Sequence, residues 1–138
     1  SNVKILGYQS NSVVQDYLSR ARAFVYAACE DFGIVLVEAQ ACGTPVIAYG
    51  LGGAAETVLD IRNYPDCGTG ILFPTQTTAA ILAAISTFET YHQQFQAEKI
   101  RAHAESFADA VFRSQYLSLL DRYYHRWKSG TSNQHSGV

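Results

Sequence analysis

Apolar positions along this chain come in short runs divided by glycine, proline and polar turns, and their spacing switches repeatedly between that of strands and that of helices. Residues 3–7 read as a short strand ending at Gly7. Asn11 or Ser12 can cap a helix running to about Arg22, with Val13, Val14, Tyr17 and Leu18 on one face. Residues 23–26 form a short apolar strand, and residues 33–41 a helix that is apolar nearly all round and therefore expected to be buried. Gly43 suits the left-handed position that ends it. Residues 46–48 lack polar alternation, as expected of a strand covered on both faces. A glycine-rich loop at 50–53, a short helix at 54–58, a polar loop at 60–69 and a last strand at 70–73 follow. Thr77 or Thr78 caps a helix with Ala80, Ile81, Ala84, Ile85 and Phe88 at helical spacing. Two further helices are expected over about 97–105 and 109–128. Residues 128–138, rich in Ser, Gly and Asn, are expected to form a disordered tail.

Strands alternating with helices predict an α/β fold: a Rossmann-like, doubly wound parallel sheet of about four strands, with C-terminal helices, in one domain over residues 3–127. Nucleotide-binding sheets of this kind usually have about six strands. The sequence also opens directly on a strand, so the chain is expected to be a piece of a larger enzyme, lacking an N-terminal portion.

Composition narrows the function classes. The chain has 138 residues, 48% hydrophobic and 16% charged, as in a soluble globular domain, with a net charge of -2 that offers no footprint for nucleic acid. No apolar run approaches a membrane span. Cys29, Cys42 and Cys67 have no metal-like spacing and read as reduced thiols of a cytoplasmic protein, Cys29 and Cys42 as small buried fillers.

The chemistry concentrates in residues 30–48. Glu30 stands just before Gly33, which opens the apolar helix, and Glu38 is embedded in that helix. Carboxylates seldom sit in apolar runs without a partner, because desolvating a charge is costly. Ligands of parallel sheets lie beyond the carboxyl ends of the strands, which puts Glu30 at the mouth of a site. Gly33 permits close approach of a ligand, and the amides near Gly33, Ile34 and Val35 favour an anion. The order is carboxylate, amide cradle, carboxylate. A nucleotide diphosphate sugar has the matching order of sugar hydroxyls, phosphates and ribose hydroxyls, and an ionised carboxylate accepts from hydroxyls.

The stretch resembles the donor-binding motif of retaining glycosyltransferases of GT-B architecture, called group 1 or family 4. Residues 41–46 (Ala-Cys-Gly-Thr-Pro-Val), 52–58 (Gly-Gly-Ala-Ala-Glu-Thr-Val), 68–73 (Gly-Thr-Gly-Ile-Leu-Phe) and 3–7 resemble that family's successive elements, and the likeness covers about residues 3–127. The resemblance implies that Glu30 binds hydroxyls of the donor sugar, which makes it the catalytic candidate. It implies that backbone amides of Phe32, Gly33, Ile34 and Val35 hold sugar and diphosphate, that Glu38 binds the ribose, and that Tyr8 and Gln9 lie beside the nucleobase. The transfer would retain anomeric configuration, with no metal and no cofactor besides the donor. The wording of residues 45–50 and 100–107 is most like mannosyltransferase-type members, which makes GDP-mannose the expected donor and a saccharide or glycolipid the expected acceptor. The family's Arg/Lys pair for the diphosphate belongs upstream and is not in this chain, and Lys4, Arg20 and Arg22 are not placed to replace it. The N-terminal domain that supplies the acceptor wall is also missing, so the chain alone is expected to be inactive.

Other readings stay open at this point. Glu30 can be a favourable charge at a helix start, Glu38 an ordinary surface residue, and Gly52 and Gly53 either turn glycines or points of close approach to the donor. The aromatic helix with Tyr116, Tyr123, Tyr124 and Trp127 can pack in a core, cross onto the N-terminal domain or touch a membrane surface. The four histidines receive no role. A non-catalytic nucleotide-sugar-binding module and a nucleotide-sugar epimerase of similar architecture are the rival functions. An uncovered sheet edge predicts a homodimer.

Overall fold

The computed structural model describes residues 2–132, and these fall into two compact units that divide after Glu105. In the first, helix α1 (Asn11–Arg20) precedes strand β1 (Phe24–Tyr26), helix α2 (Ile34–Ala41), strand β2 (Val46–Tyr49), helix α3 (Gly53–Thr57), strand β3 (Gly70–Phe73), helix α4 (Thr78–Tyr91), a 3₁₀ turn (His92–Gln94) and helix α5 (Ala97–Glu105). The second unit carries helix α6 (Asp109–Ser132).

The three strands are parallel in the order β1-β2-β3, with Phe24 opposite Val46 and Val46 opposite Gly70. Successive side chains of β2 point to opposite faces. Val46 and Ala48 join Leu18, Leu36, Ala39, Ala54 and Val58 in one core cluster, so α2 and α3 cover that face. Ile47 joins Ile61, Ile71, Phe73, Ala84 and Phe88 in a second cluster under α4. Two crossovers of one hand that advance the sheet in one direction lie on one face, and only the next connection moves the chain to the other. That order produces the doubly covered sheet.

Several local expectations hold. Gly43 has φ 82°, and the Thr77 hydroxyl accepts the Ala80 amide at 3.2 Å as an N-cap. Helix α5 has the expected limits. Others are corrected. Residues 3–7 are not a strand; Val3 and Ile5 are 69% and 92% exposed, and none of the described strands pairs with this segment. The segment joins no ladder among the described strands, so the sheet has three strands rather than about four. Helix α1 ends at Arg20, and Ser10 occupies its N-cap position without a side-chain cap. Cys29 is exposed and so is not a buried filler, whereas Cys42 is half-buried and packs against the Leu36 and Ala39 core cluster. The tail expected from residue 128 begins as helix: α6 continues to Ser132, where the Ser129 hydroxyl bonds the His125 and Arg126 carbonyls. Residues 133–138 of that expected tail lie outside the described residues. On α6, Phe112, Tyr116, Leu120, Tyr123, Tyr124 and Trp127 are exposed.

Candidate donor-binding site

Because the strands are parallel, β1, β2 and β3 all end on the same edge of the sheet, and the loops at 27–33, 50–52 and 74–77 gather there. They are tied to one another. The Gly53 amide donates to the Glu30 carbonyl at 2.7 Å, and Glu30 and Gly52 form a parallel bridge. Gln76 Nε2 donates to the Ala27 carbonyl at 2.7 Å, and the Gly50 amide to the Phe73 carbonyl at 2.9 Å.

Gly52 and Gly53 have a reason that neither sequence reading contained. A Cβ on Gly52 would stand 2.4 Å from the Glu30 carbonyl oxygen, and one on Gly53 would stand 2.0 Å from that of Phe32. The glycines admit the protein's own loop, and so determine where Glu30 sits.

The Glu30 side chain is exposed and accepts a short hydrogen bond from the Tyr26 hydroxyl, which comes from the end of β1. Tyr26 was not singled out from the sequence. Its position at the carboxyl end of a strand, four residues before the carboxylate, is the signal that marks it. The hydrogen bond to Glu30 holds the Tyr26 hydroxyl above its ordinary range, with burial and the carboxylate's charge adding to the effect. Tyr26, protonated near neutral pH as any tyrosine is, donates to one carboxylate oxygen of Glu30. Glu30→Ala is expected to bring the Tyr26 titration back down toward that of a free tyrosine, as read by ultraviolet difference spectra. An unchanged titration would show that the contact does not persist in solution.

Gly33 is the N-cap of α2, left-handed at φ 73°, and its carbonyl takes the Leu36 amide at 2.9 Å. The amides of Gly33, Ile34 and Val35 are the donors that a helix start leaves without intrahelical partners. Phe32 and Ile34 flank them, 45% and 67% exposed, and Val35 is half-buried.

Glu38 corrects the expectation of a helix buried all round. Leu36, Ala39 and Gln40 are buried, whereas Ile34, Glu38 and Ala41 are exposed along one stripe. The i, i+4 spacing puts Glu38 about 6 Å along the axis from Ile34 on the same face. Glu38 is thus solvated, which removes the desolvation cost that its apolar neighbours implied. It lines a groove of about 500 Å³ between α1 and α2, together with Asn11, Gln15 and Asp16.

Tyr8 is 99% exposed. Gln9 bonds the Leu6 carbonyl at 2.7 Å and lines a separate apolar groove with Val13, Val14, Tyr17 and Phe24. Of the cations, Arg20 is paired with Asp16 and Arg22 with Glu89. Among the described residues, no group of three or more His, Cys, Asp or Glu side chains could hold a metal ion, and no helix is long and apolar enough to cross a membrane.

Known proteins resemble this chain in sequence and in fold. A D-inositol 3-phosphate glycosyltransferase of Jonesia denitrificans is 37% identical over 96 residues, 67% of this chain and 21% of that protein. One of Mycobacteroides abscessus is 51% identical over 49 residues, 36% of this chain and 10% of that protein. The solved structure of sucrose-phosphate synthase from Thermosynechococcus elongatus superposes with a TM-score of 0.66 at 27% identity, over 92% of this chain and 31% of that one. The chain therefore spans about a fifth or less of the length of these two glycosyltransferases. Residues 1–107 match the family described as glycosyl transferases group 1, and this chain belongs to that family.

Proposed function

We propose that the chain is the donor-binding part of a glycosyltransferase that moves a hexose from a nucleotide diphosphate sugar to an acceptor, with retention of configuration. The observation that carries this reading is the order along the chain at the ends of the strands: exposed Glu30 held by Tyr26, the start of α2 at Gly33 and Ile34, then exposed Glu38 one helical turn on. In the proposed complex the sugar hydroxyls donate to Glu30, the diphosphate lies against the amides of residues 32–35, and the ribose hydroxyls donate to Glu38. Asn11 and Gln15 stand beside Glu38 in the groove, with side chains able to bond further polar groups of the nucleotide.

The phosphates would separate the two carboxylates, so Glu30 and Glu38 do not act as the acid and nucleophile that flank a bond in retaining glycosidases. Glu30 acts instead by orienting the sugar, while the dipole of α2 stabilises charge on the departing diphosphate. With Arg20 and Arg22 occupied, the rest of that charge requires cations from outside this site, and the isolated chain is expected to bind donor without transferring it. GDP-mannose is the preferred donor. Relatives named for D-inositol 3-phosphate make a phosphorylated polyol an acceptor to test with the whole enzyme.

Calorimetric titration of the chain with GDP-mannose, UDP-glucose, UDP-GlcNAc and the bare diphosphates tests the reading. Losing a charged acceptor in a hydrogen bond is worth about 1.5–3 kcal/mol, so Glu30→Gln is expected to weaken a bound nucleotide sugar by at least about tenfold and to spare the bare diphosphate. Glu38→Gln is expected to weaken both. Equal losses for Glu30→Gln on both ligands, or no loss, would overturn the assignment.

A further inference from the structure

Thr57, the last residue of α3, is fully buried and joins three helices. Its carbonyl lies 3.1 Å from Gln40 Nε2 on α2 and 3.1 Å from His103 Nε2 on α5. A carbonyl only accepts, so His103 carries a proton on Nε2. The Thr57 hydroxyl donates to the Gly53 carbonyl at 2.7 Å, and the Gly53 amide donates to the Glu30 carbonyl at 2.7 Å. Gln40 is itself fully buried; its Nε2 also donates to the Leu36 carbonyl at 3.1 Å, and its Oε1 has no hydrogen-bond partner among the described residues. An apolar side chain of similar length would fill that space without stranding an amide oxygen, so the amide is retained at a cost to stability. What it secures is the position of Thr57, and with it the short helix whose first residues press against the backbone of Glu30 and Phe32.

We propose that Gln40, Thr57 and His103 are positioning residues that set the seat of α3 and, through Gly53, the placement of Glu30 at the sugar end of the donor site. The inference rests on the donor-binding reading for its functional consequence, but its structural content stands by itself. Thr57→Val preserves shape and leaves the Gly53 carbonyl its helical amide. Gln40→Met preserves length. Amide hydrogen exchange on the 138-residue chain is expected to quicken about fivefold at residues 28–33 and 53 in either variant, and to stay unchanged at 46–48 and 70–73. Exchange that quickens equally in the central strands means a merely structural role and overturns the proposal, as does no change at the Glu30 loop. If Thr57→Val does not fold, Gln40→Met decides. In a second arm, both variants are expected to weaken GDP-mannose about fivefold while sparing GDP, the pattern of a displaced Glu30 rather than a damaged fold. Should Glu30→Gln leave the GDP-mannose to GDP ratio unchanged, the donor reading fails, while the exchange arm still decides the positioning role.

Discussion

Gly53→Ala is expected to destabilise the first unit by roughly 3–5 kcal/mol, enough to abolish folding of a marginal domain. The added methyl would lie 2.0 Å from the Phe32 carbonyl oxygen, 2.2 Å from its carbon and 2.4 Å from its Cα. All three are backbone atoms, so no rotamer change relieves the overlap. Either the loop at 27–33 or α3 must move, and moving α3 breaks the bonds from the Gly53 amide to the Glu30 carbonyl and from Gln40 Nε2 to the Thr57 carbonyl. Gly50 is the natural control. A Cβ there would meet Leu72 Cβ at 3.3 Å and the Phe73 carbonyl at 3.5 Å, the second an ordinary contact and the first relieved by a shift of a few tenths of an ångström. Gly50→Ala is expected to cost about 1 kcal/mol or less. Urea unfolding of the two variants checks the contrast, and a Gly53→Ala midpoint within error of Gly50→Ala would show that the close approach does not exist. A Gly53→Ala variant that remains partly folded is also expected to lose donor binding, because the loop that yields carries Glu30.

Asp60→Ala is expected to cost about 2–4 kcal/mol at neutral pH, the penalty for stranding hydrogen-bonding groups that a buried carboxylate had satisfied. Asp60 is 4% exposed. Its carboxylate accepts the Arg62 amide at 3.0 Å, Arg62 Nε at 2.8 Å, the second Arg62 nitrogen at 2.5 Å and the Leu72 amide at 2.8 Å. Arg62 also donates to the Leu72 carbonyl, so the pair fastens the 59–62 segment to β3. Arg62 is half-exposed, so its loss as a partner is softened by water, and the Leu72 amide carries most of the effect.

Burial alone pushes the Asp60 carboxyl upward, but the hydrogen bonds from Arg62 and from the Leu72 and Arg62 amides outweigh it, and the group ends below the ordinary carboxylate range. The folded state therefore holds the proton less readily than the unfolded chain. The stability contributed by Asp60 is full above the unfolded value of about 3.9 and is lost as the pH falls through the lower folded value. Urea midpoints measured from neutral pH down into that acid range should fall for the parent chain and fall less for Asp60→Asn. Parallel curves would assign the acid sensitivity to other carboxylates.

Much of this molecule is legible along the chain because the deciding interactions are local. The change from a helical to a strand period, the left-handed Gly43 and the Thr77 cap each depend on a few neighbouring residues. So does the order of Glu30, Gly33 and Glu38, which already implied two carboxylates around an anion-binding helix start. Residues 3–7 misled for the complementary reason: their local pattern suits a strand, yet a strand needs a partner that local pattern does not supply. Glu38 misled because eight residues of high apolar content do not reveal which stripe faces water.

The sequence by itself determined the class of fold, the positions of most elements and the segment on which the proposed donor site is built. Only the tertiary structure decided that Tyr26 holds Glu30, that Gly52 and Gly53 make room for the protein's own loop, and that Asp60 fastens the segment beside β3. It alone brought Gln40, Thr57 and His103 to one carbonyl from positions as far apart as residues 40 and 103. Apart from Tyr26 and Glu30, which stand four residues apart, these are contacts between distant parts of the chain, fixed by strand register and by which face of each helix is buried. Neither quantity is a property of any short stretch of residues, so each came into view only when the sheet and its helices were assembled.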